Sequence, residues 1–176
     1  MAVAGVEALK AKVRDVPDWP EKGIVFRDIM PLLADRDALR QTIDLLADWA
    51  QERRPDIVVG GEARGFFIGS AIAYKLGCGF VPARRPGKLP LETISVEYAL
   101  EYGRNTLELQ ADAFEGGARV LIHDDVLATG GTSKAMADLV EQLGGEVVGM
   151  AFLIELGFLK GRDQLSDYDL FSLIHY

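Results

Sequence analysis

Short apolar runs alternate with amphipathic segments along most of the chain. The strand-like runs are rich in β-branched or aromatic residues, which is typical of strands buried on both faces: DIVVG, GFVPA, RVLIH, EVVGMAFLIEL and DLFSLI. Between them, apolar residues recur at helical spacing in Asp37–Glu52 and in GFFIGSAIAYKLG. Pro55 and Gly77 indicate where these two helices stop. The alternation predicts an α/β fold, a parallel sheet flanked by helices.

A long insertion, Arg84 to Gly117, separates the second of these runs from the third. It begins with RRPGKLP, which is rich in proline, glycine and basic residues and predicts a mobile loop. The two segments that follow, TISVEYALEY and NTLELQ, alternate like the strands of a hairpin. Because long flexible insertions in compact α/β domains are uncommon and often cover active sites, we expect a flexible lid hairpin.

Composition narrows the class of protein. The chain has 176 residues, 49% of them hydrophobic and 26% charged, which predicts a single globular domain over residues 1–176. A net charge of −8 argues against nucleic-acid or anionic-membrane partners, and no apolar run is long enough to span a membrane. The first residues, MAVAGVEALKAKV, predict an amphipathic helix rather than a signal peptide. A lone cysteine, Cys78, fits a reducing compartment, so we expect a cytoplasmic protein.

The richest chemical signal lies at the end of the RVLIH run. Asp124 and Asp125 follow it, where open α/β sheets bind their ligands. The next segment, Ala128–Thr132, can surround an anion with backbone N–H groups, and Gly130 and Gly131 allow close approach. A helix predicted to begin there adds the positive end of its dipole. Anion loop and carboxylate acceptors together predict a ligand with a phosphate and hydroxyls, such as ribose 5-phosphate.

Other nucleotide-binding motifs do not fit. The chain has no G-x-x-x-x-G-K-[ST] loop, and in GGEARG Glu62 stands where G-x-G-x-x-G needs glycine. Instead, VLIHDDVLATGGTSKA resembles the phosphoribosyl diphosphate signature of type I phosphoribosyltransferases. Stretches in the family's order between Pro17 and Leu165 resemble the branch that uses adenine: PDWPEKGIVFRDIMPLL, GGEARGFFIGSAIAYKLG, RRPGKLP, LEYG and ELGFLKGRDQL. His123 stands where that family commonly has an apolar residue, and we expect it to be structural.

The resemblance implies roles for the matching residues. Residues that would bind phosphoribosyl diphosphate are Arg64, Arg84, Lys88, Asp124, Asp125, Ala128, Thr129, Gly130, Gly131 and Thr132. Arg64 belongs to a diphosphate loop, Glu62–Gly65, where this family often has a non-proline cis peptide. Residues that would shape the adenine pocket, under a small N-terminal hood formed mainly by residues 1–34, are Val25, Phe26 and Arg27. Glu101, in LEYG, would be the catalytic acid–base residue on the lid.

The implied activity is Mg²⁺-dependent pentosyl transfer in purine salvage, from adenine and 5-phosphoribosyl 1-diphosphate to AMP and diphosphate. The metal would be held mainly by substrate, near Asp124 and Asp125, and the enzyme would be a homodimer. Two alternatives remain open: the same chemistry on another base, such as hypoxanthine or xanthine, and a ligand-sensing regulator without catalysis. Glu101, Arg64 and the basic lid favour an enzyme, as does the lack of a DNA-binding domain or basic patch.

Overall fold

The computed structural model describes residues 2–99 and 104–176. The predicted alternation of helices and strands is present in residues 36–83 and 119–155. The helices are α1 (Ala2–Lys10), α2 (Met30–Ala34), α3 (Arg36–Gln51), α4 (Gly65–Leu76) and α5 (Gly131–Gln142). The strands are β1 (Arg14–Pro17), β2 (Val25–Asp28), β3 (Ile57–Gly61), β4 (Gly79–Ala83), β5 (Thr93–Ala99), β6 (Arg104–Gln110), β7 (Arg119–Leu127), β8 (Glu146–Glu155) and β9 (Leu170–His175). Two 3₁₀ turns connect β8 to β9: Gly157–Leu159 and Gly161–Leu165.

Five strands form a parallel sheet in the order β4–β3–β7–β8–β9, which confirms the predicted α/β architecture. Apolar side chains alternate between its two faces. On β7, Leu121 packs with α3 and α4 on one face, whereas Val120 and Ile122 pack with α5 and β6 on the other. All three are fully buried, which explains why the sequence shows a continuous apolar run rather than an alternating pattern.

The central strand β7 is longer than its apolar run. It continues to Leu127 because β8 pairs with it as far as Leu127 and Glu155. The prediction that Asp124 and Asp125 follow the strand is therefore wrong, since both lie within it. The strand backbone fixes the two carboxylates at the carboxyl edge of the sheet, next to the end of β3.

The predicted hairpin is present as β5 and β6, which pair antiparallel from Thr93 with Gln110 to Ala99 with Arg104. It is attached to the domain by Leu107 and Leu109, which are buried in the same core cluster as α5. Glu101, the residue predicted to be catalytic, lies outside the described residues, as do its neighbours 100, 102 and 103.

The N-terminal segment contains a hairpin that the apolar pattern did not predict. Strands β1 and β2 pair antiparallel, with Arg14 opposite Asp28. The Asp28 carboxylate accepts hydrogen bonds from the Met30 backbone N–H at 2.9 Å and from Arg14 Nε at 3.0 Å. Both bonds hold the pKa of Asp28 below its ordinary value, and the bond from Met30 has the larger effect. The hairpin is thereby joined to the start of α2.

His123 is a polar residue in the middle of the apolar core. It is fully buried, and neither ring nitrogen has a hydrogen-bond partner among the described residues. Burial lowers the pKa of His123 to about 4, against a small opposing effect of the Ala151 backbone. The folded protein therefore holds this imidazole neutral at pH values above about 4.

We expect His123→Val to remove a loss of stability at acidic pH. Between pH 6.5 and 4 the unfolded chain binds a proton at this histidine that the folded protein excludes, so stability falls as pH drops through that window. The variant should gain on the order of 2 kcal/mol in unfolding free energy relative to the parent between pH 7 and pH 5, measured by urea denaturation. The exposed His175, changed in the same way, is the control. If the unfolding free energies of His123→Val and the parent differ by the same amount at pH 7 and at pH 5, this account is wrong.

Candidate active site

A cavity of about 340 Å³ opens at the carboxyl edge of β3 and β7. Several residues predicted to bind phosphoribosyl diphosphate line it: Arg64, Asp124, Asp125, Ala128 and Thr132. Others were not assigned to the site from the sequence: Tyr98 and Asn105 from the hairpin, and Val126 from β7. The folded chain thus brings the end of the central strand, the loop after β3 and the hairpin to one place.

Asp124 fits into a space left by two glycines. A Cβ added at Gly61 or at Gly65 would lie 3.0 Å from an oxygen of the Asp124 carboxylate. The same carboxylate accepts a hydrogen bond from the Asp125 backbone N–H at 2.9 Å. A larger residue at either glycine would therefore have to displace this acid, which explains why small residues flank the Glu62–Arg64 turn.

Asp125 offers an acceptor that the described residues leave open. The residue is 4% exposed, and its Oδ2 lies 2.8 Å from Arg64 Nε. The N–H direction is poor, however, so this oxygen has an ion-pair partner but no aligned hydrogen bond within the described ranges. This atom is buried, so its capacity to accept a hydrogen bond is unmet within the described ranges.

The two carboxylates are unfavourable neighbours in the absence of ligand. Burial raises the pKa of Asp124 well above its ordinary value, and the charge of Asp125 raises it further. Burial also raises the pKa of Asp125, against the opposing effect of the Arg64 guanidinium. A ligand that brings hydroxyl donors or a cation would lower the cost of ionising this pair.

The loop after β7 has the form expected of an anion site. Gly130 has φ +90°, a conformation that favours glycine, and α5 begins at the next residue. Gly131 lies in the helix and does not need that freedom. No side chain caps the start of α5 in the described structure, so its first N–H groups remain available to an anion. The Thr132 hydroxyl, in the first turn, lies 3.4 Å from the Tyr98 hydroxyl.

The loop after β3 is joined by hydrogen bonds to the first two residues of RRPGKLP, Arg84 and Arg85. Its Glu62–Ala63 peptide is cis, as expected from the family resemblance. The Glu62 carboxylate accepts hydrogen bonds from the Arg85 backbone N–H at 2.9 Å and from Arg84 Nε at 3.3 Å. Burial alone would raise the pKa of Glu62, but these bonds hold it below its ordinary value.

The structure distinguishes among the basic residues of RRPGKLP. The Arg84 guanidinium contacts Glu62 and the Lys88 carbonyl oxygen, and the Arg84 backbone pairs with Glu108. Arg85 lines the cavity, whereas Arg84 and Lys88 are absent from its described lining. The diphosphate-binding role of Arg84 and Lys88 stays a prediction, and Arg85 is the cation that the fold places at the site.

A second cavity, of about 300 Å³, lies against the N-terminal hairpin and is lined by Val16, Trp19, Phe26 and Asp28. Phe26 contacts Trp19 edge-on at 4.3 Å between ring centroids. The Arg64 guanidinium, which faces Asp125, also lies 4.7 Å from the centre of the Phe26 ring. Arg64 therefore stands between the acid pair and an aromatic face.

Of the three residues predicted to shape the base pocket, Phe26 lines this second cavity, and Val25 and Arg27 are not among its described lining residues. The Arg27 side chain turns to the other face of the hairpin, where it pairs with Asp15 and lies 3.8 Å from the centre of the Tyr176 ring. Val25 is 44% exposed. The Arg27 side chain is thus engaged away from the cavity, whereas Val25 is accessible.

Within the described ranges, no group of three or more His, Cys, Asp or Glu side chains could hold a metal ion. None of the helices in the same ranges has the length and apolar character needed to cross a membrane. The site is thus an acid pair, an anion loop and two arginines around one cavity.

These features together define a type I phosphoribosyltransferase. A family model described as the phosphoribosyl transferase domain matches residues 32–175. The chain is 55% identical to the adenine phosphoribosyltransferase of Thermotoga petrophila over 168 residues, which are 96% of this chain and 99% of that protein. The chain therefore belongs to the phosphoribosyltransferase family.

Solved structures give the same relationship. The adenine phosphoribosyltransferase of Thermoanaerobacter pseudethanolicus superposes with a TM-score of 0.95 at 52% identity, covering 97% of this chain and 99% of that one. The Saccharomyces cerevisiae adenine phosphoribosyltransferase, complexed with adenine and an imino-altritol bisphosphate, superposes with a TM-score of 0.92 at 38% identity. The match covers 97% of this chain and 98% of that one. The predicted family and fold are confirmed.

Proposed function

We propose that this chain transfers the phosphoribosyl group of 5-phosphoribosyl 1-diphosphate to adenine, forming AMP and diphosphate. The observation that carries the proposal is the arrangement at the end of β7, where a buried, incompletely bonded acid pair adjoins an open phosphate loop. The adenine phosphoribosyltransferases that resemble the chain along nearly its whole length support the same reaction.

The ribose 5-phosphate part of the substrate fits the two halves of this arrangement. Its phosphate would accept hydrogen bonds from the backbone N–H groups and hydroxyls of Ala128–Thr132, at the positive end of α5. Its hydroxyls would donate to Asp124 and Asp125, whose pKa values are raised by burial and would be lowered by such donors. The spacing of loop and acids along one strand sets the direction in which the sugar lies.

The diphosphate would lie between the Glu62–Gly65 loop and Arg85. Among the described residues the site offers a carboxylate pair rather than a full set of ligands, so Mg²⁺ would be held mainly by substrate. When bound with diphosphate, the metal would offset the charge that develops on the leaving group. Arg64 and Arg85 would contribute to the same effect from the protein.

Adenine would stack on Phe26, next to the cavity at the N-terminal hairpin. Strand β2 has a partner on one side only within the described sheet, so its other edge can offer backbone groups to a base. We propose that residues 1–34 act as the hood over the base, with Val25 and Arg27 contributing backbone contacts. Buried backbone groups placed for an amino edge would be left unpaired by an oxo base.

During the reaction the bond from ribose C1 to the diphosphate oxygen breaks, and the sugar acquires oxocarbenium character. A ring nitrogen of adenine then bonds to C1, and the proton carried by the imidazole ring needs an acceptor. We propose Glu101 for this role, on the basis of its match to the family's LEYG motif and its place between β5 and β6. Exclusion of water from the cavity would protect the activated sugar from hydrolysis.

The function is tested by mixing the protein with 5-phosphoribosyl 1-diphosphate, Mg²⁺ and each nucleobase, and identifying the nucleotide formed. We expect AMP, with kcat/KM for adenine on the order of 10⁴ above that for hypoxanthine, because the site rejects bases that leave buried polar groups unpaired. Comparable values for the two bases would favour the same chemistry on a broader set of purines. Tight binding of the substrates without any nucleotide formed would favour a sensor.

Glu101→Gln tests the proposed acid–base residue. The change keeps size and hydrogen-bonding reach but removes the basic group, so kcat should fall by about 10²–10⁴ while KM for adenine changes little. Thermal unfolding should match that of the parent. A kcat within about threefold of the parent would remove Glu101 from the mechanism.

We also propose a cytoplasmic homodimer. Helix α4 presents Phe67 and Tyr74 outward, 53% and 90% exposed, on the face opposite its buried residues Ile68 and Ile72. Large exposed aromatic side chains on one helix face are typical of an interface. Sedimentation should give a dimer for the parent and a smaller species for Tyr74→Glu, with Leu91→Glu, also at an exposed apolar side chain, as control. A monomeric parent at micromolar concentration would contradict the proposal.

A further inference from the structure

The segment Glu155–Leu165 contributes nothing to the cavity lining, yet it packs directly against the phosphate loop. A Cβ added at Gly161 would lie 2.3 Å from the Ala128 carbonyl oxygen, and one added at Gly130 would lie 2.6 Å from the Gly161 carbonyl oxygen. The two backbones thus meet with no side chain between them. The position of Gly161 therefore limits the path that the loop can take.

An ion pair fixes the residue next to Gly161. Arg162 donates from Nε and Nη2 to the two carboxylate oxygens of Glu155, both at 2.8 Å. Glu155 is 7% exposed and ends β8, opposite Leu127 of β7. A bidentate arginine–carboxylate pair has a defined geometry as well as strength. The 3₁₀ turn is therefore tied to the strand pair from which the phosphate loop emerges.

Two further contacts hold the same arrangement. Arg162 Nη2 lies 3.5 Å from the Ser172 hydroxyl on β9. At the other end of the turn, Leu165 is fully buried in the core cluster that contains Leu127 and Met136. Gly161 is thus held between an ion pair on the sheet and an apolar anchor beneath α5.

We propose that Glu155 and Arg162 are positioning residues, whose ion pair holds the Gly161 backbone against Ala128 and Gly130 and so sets the shape of the 5′-phosphate site. The proposal rests on the proposed function, since it assigns the loop to the substrate's phosphate. Neither residue lines the cavity, so both act through Gly161.

Gly161→Ala tests the packing directly, because its methyl group must displace the Ala128 carbonyl. Calorimetry with ribose 5-phosphate should show affinity lowered about tenfold or more, as expected when a hydrogen bond to a charged group is lost. Affinity for diphosphate, which binds elsewhere in the cavity, should stay within about twofold. Gly157→Ala is the matched control, since its methyl group would lie 3.5 Å from its nearest neighbour, the Tyr176 carbonyl oxygen.

Arg162→Lys keeps the charge but loses the bidentate bond, and it covers the case in which Gly161→Ala does not fold. It should raise KM for 5-phosphoribosyl 1-diphosphate more than it lowers kcat, with KM for adenine unchanged, and Arg162→Met should have a larger effect in the same direction.

Ribose 5-phosphate affinity equal to the parent's in Gly161→Ala and Arg162→Lys would overturn the positioning role. So would a parallel loss of ribose 5-phosphate and diphosphate affinity, which indicates general distortion. A parent that binds no ribose 5-phosphate would instead refute the proposed function.

Discussion

The site depends on two carboxylates that are buried side by side at the end of the central strand, because the neighbouring residues have to accommodate their charge. Strand pairing with β8 holds Asp124 and Asp125 in place, and Gly61 and Gly65 leave room for the first of them. Buried charges are costly unless they are paired and hydrogen-bonded, and here the Arg64 guanidinium is the cation that pairs with Asp125, while Asp124 accepts a hydrogen bond from the Asp125 backbone N–H. The fold thus keeps an unfavourable pair of acceptors that a polyhydroxy ligand can satisfy. The acid pair thus lowers the stability of the folded protein at the place where a ligand binds.

The sequence predicted the sheet well, because its strands are continuous apolar runs and its long helices have regular periodicity. It failed for β1 and β2, because charged residues interrupt these four-residue strands and leave no continuous apolar run, and for α2, because five residues are too few to show a helical period. It also ended β7 too early at His123. Two aspartates do not look like strand residues, and only the partner strand β8, which is distant in sequence, extends the pairing to Leu127.

The site was predictable where its parts are adjacent in sequence. The acid pair, the small-residue loop and the start of the helix follow one another from Asp124 to Thr132, so a local pattern was sufficient to predict this part of the site. Tyr98 and Asn105 reach the cavity through the hairpin, and nothing in their local sequence indicates it. Similarly, three basic residues within RRPGKLP look alike in the sequence. The hydrogen bond from the Arg85 backbone to Glu62 is the contact that decides which of them faces the cavity.

Arg64 shows why binding and structure cannot be separated at this site. Its guanidinium contacts the Asp125 carboxylate and also lies over the Phe26 ring, so a single side chain joins the sugar side of the site to the base side. Removing it would leave Asp125 buried without its cation, and it would uncover the aromatic face at the same time. A loss of activity on replacing Arg64 therefore has two physical sources. Double-mutant cycles with Asp125 and with Phe26 can separate them, because each cycle isolates one pairwise term.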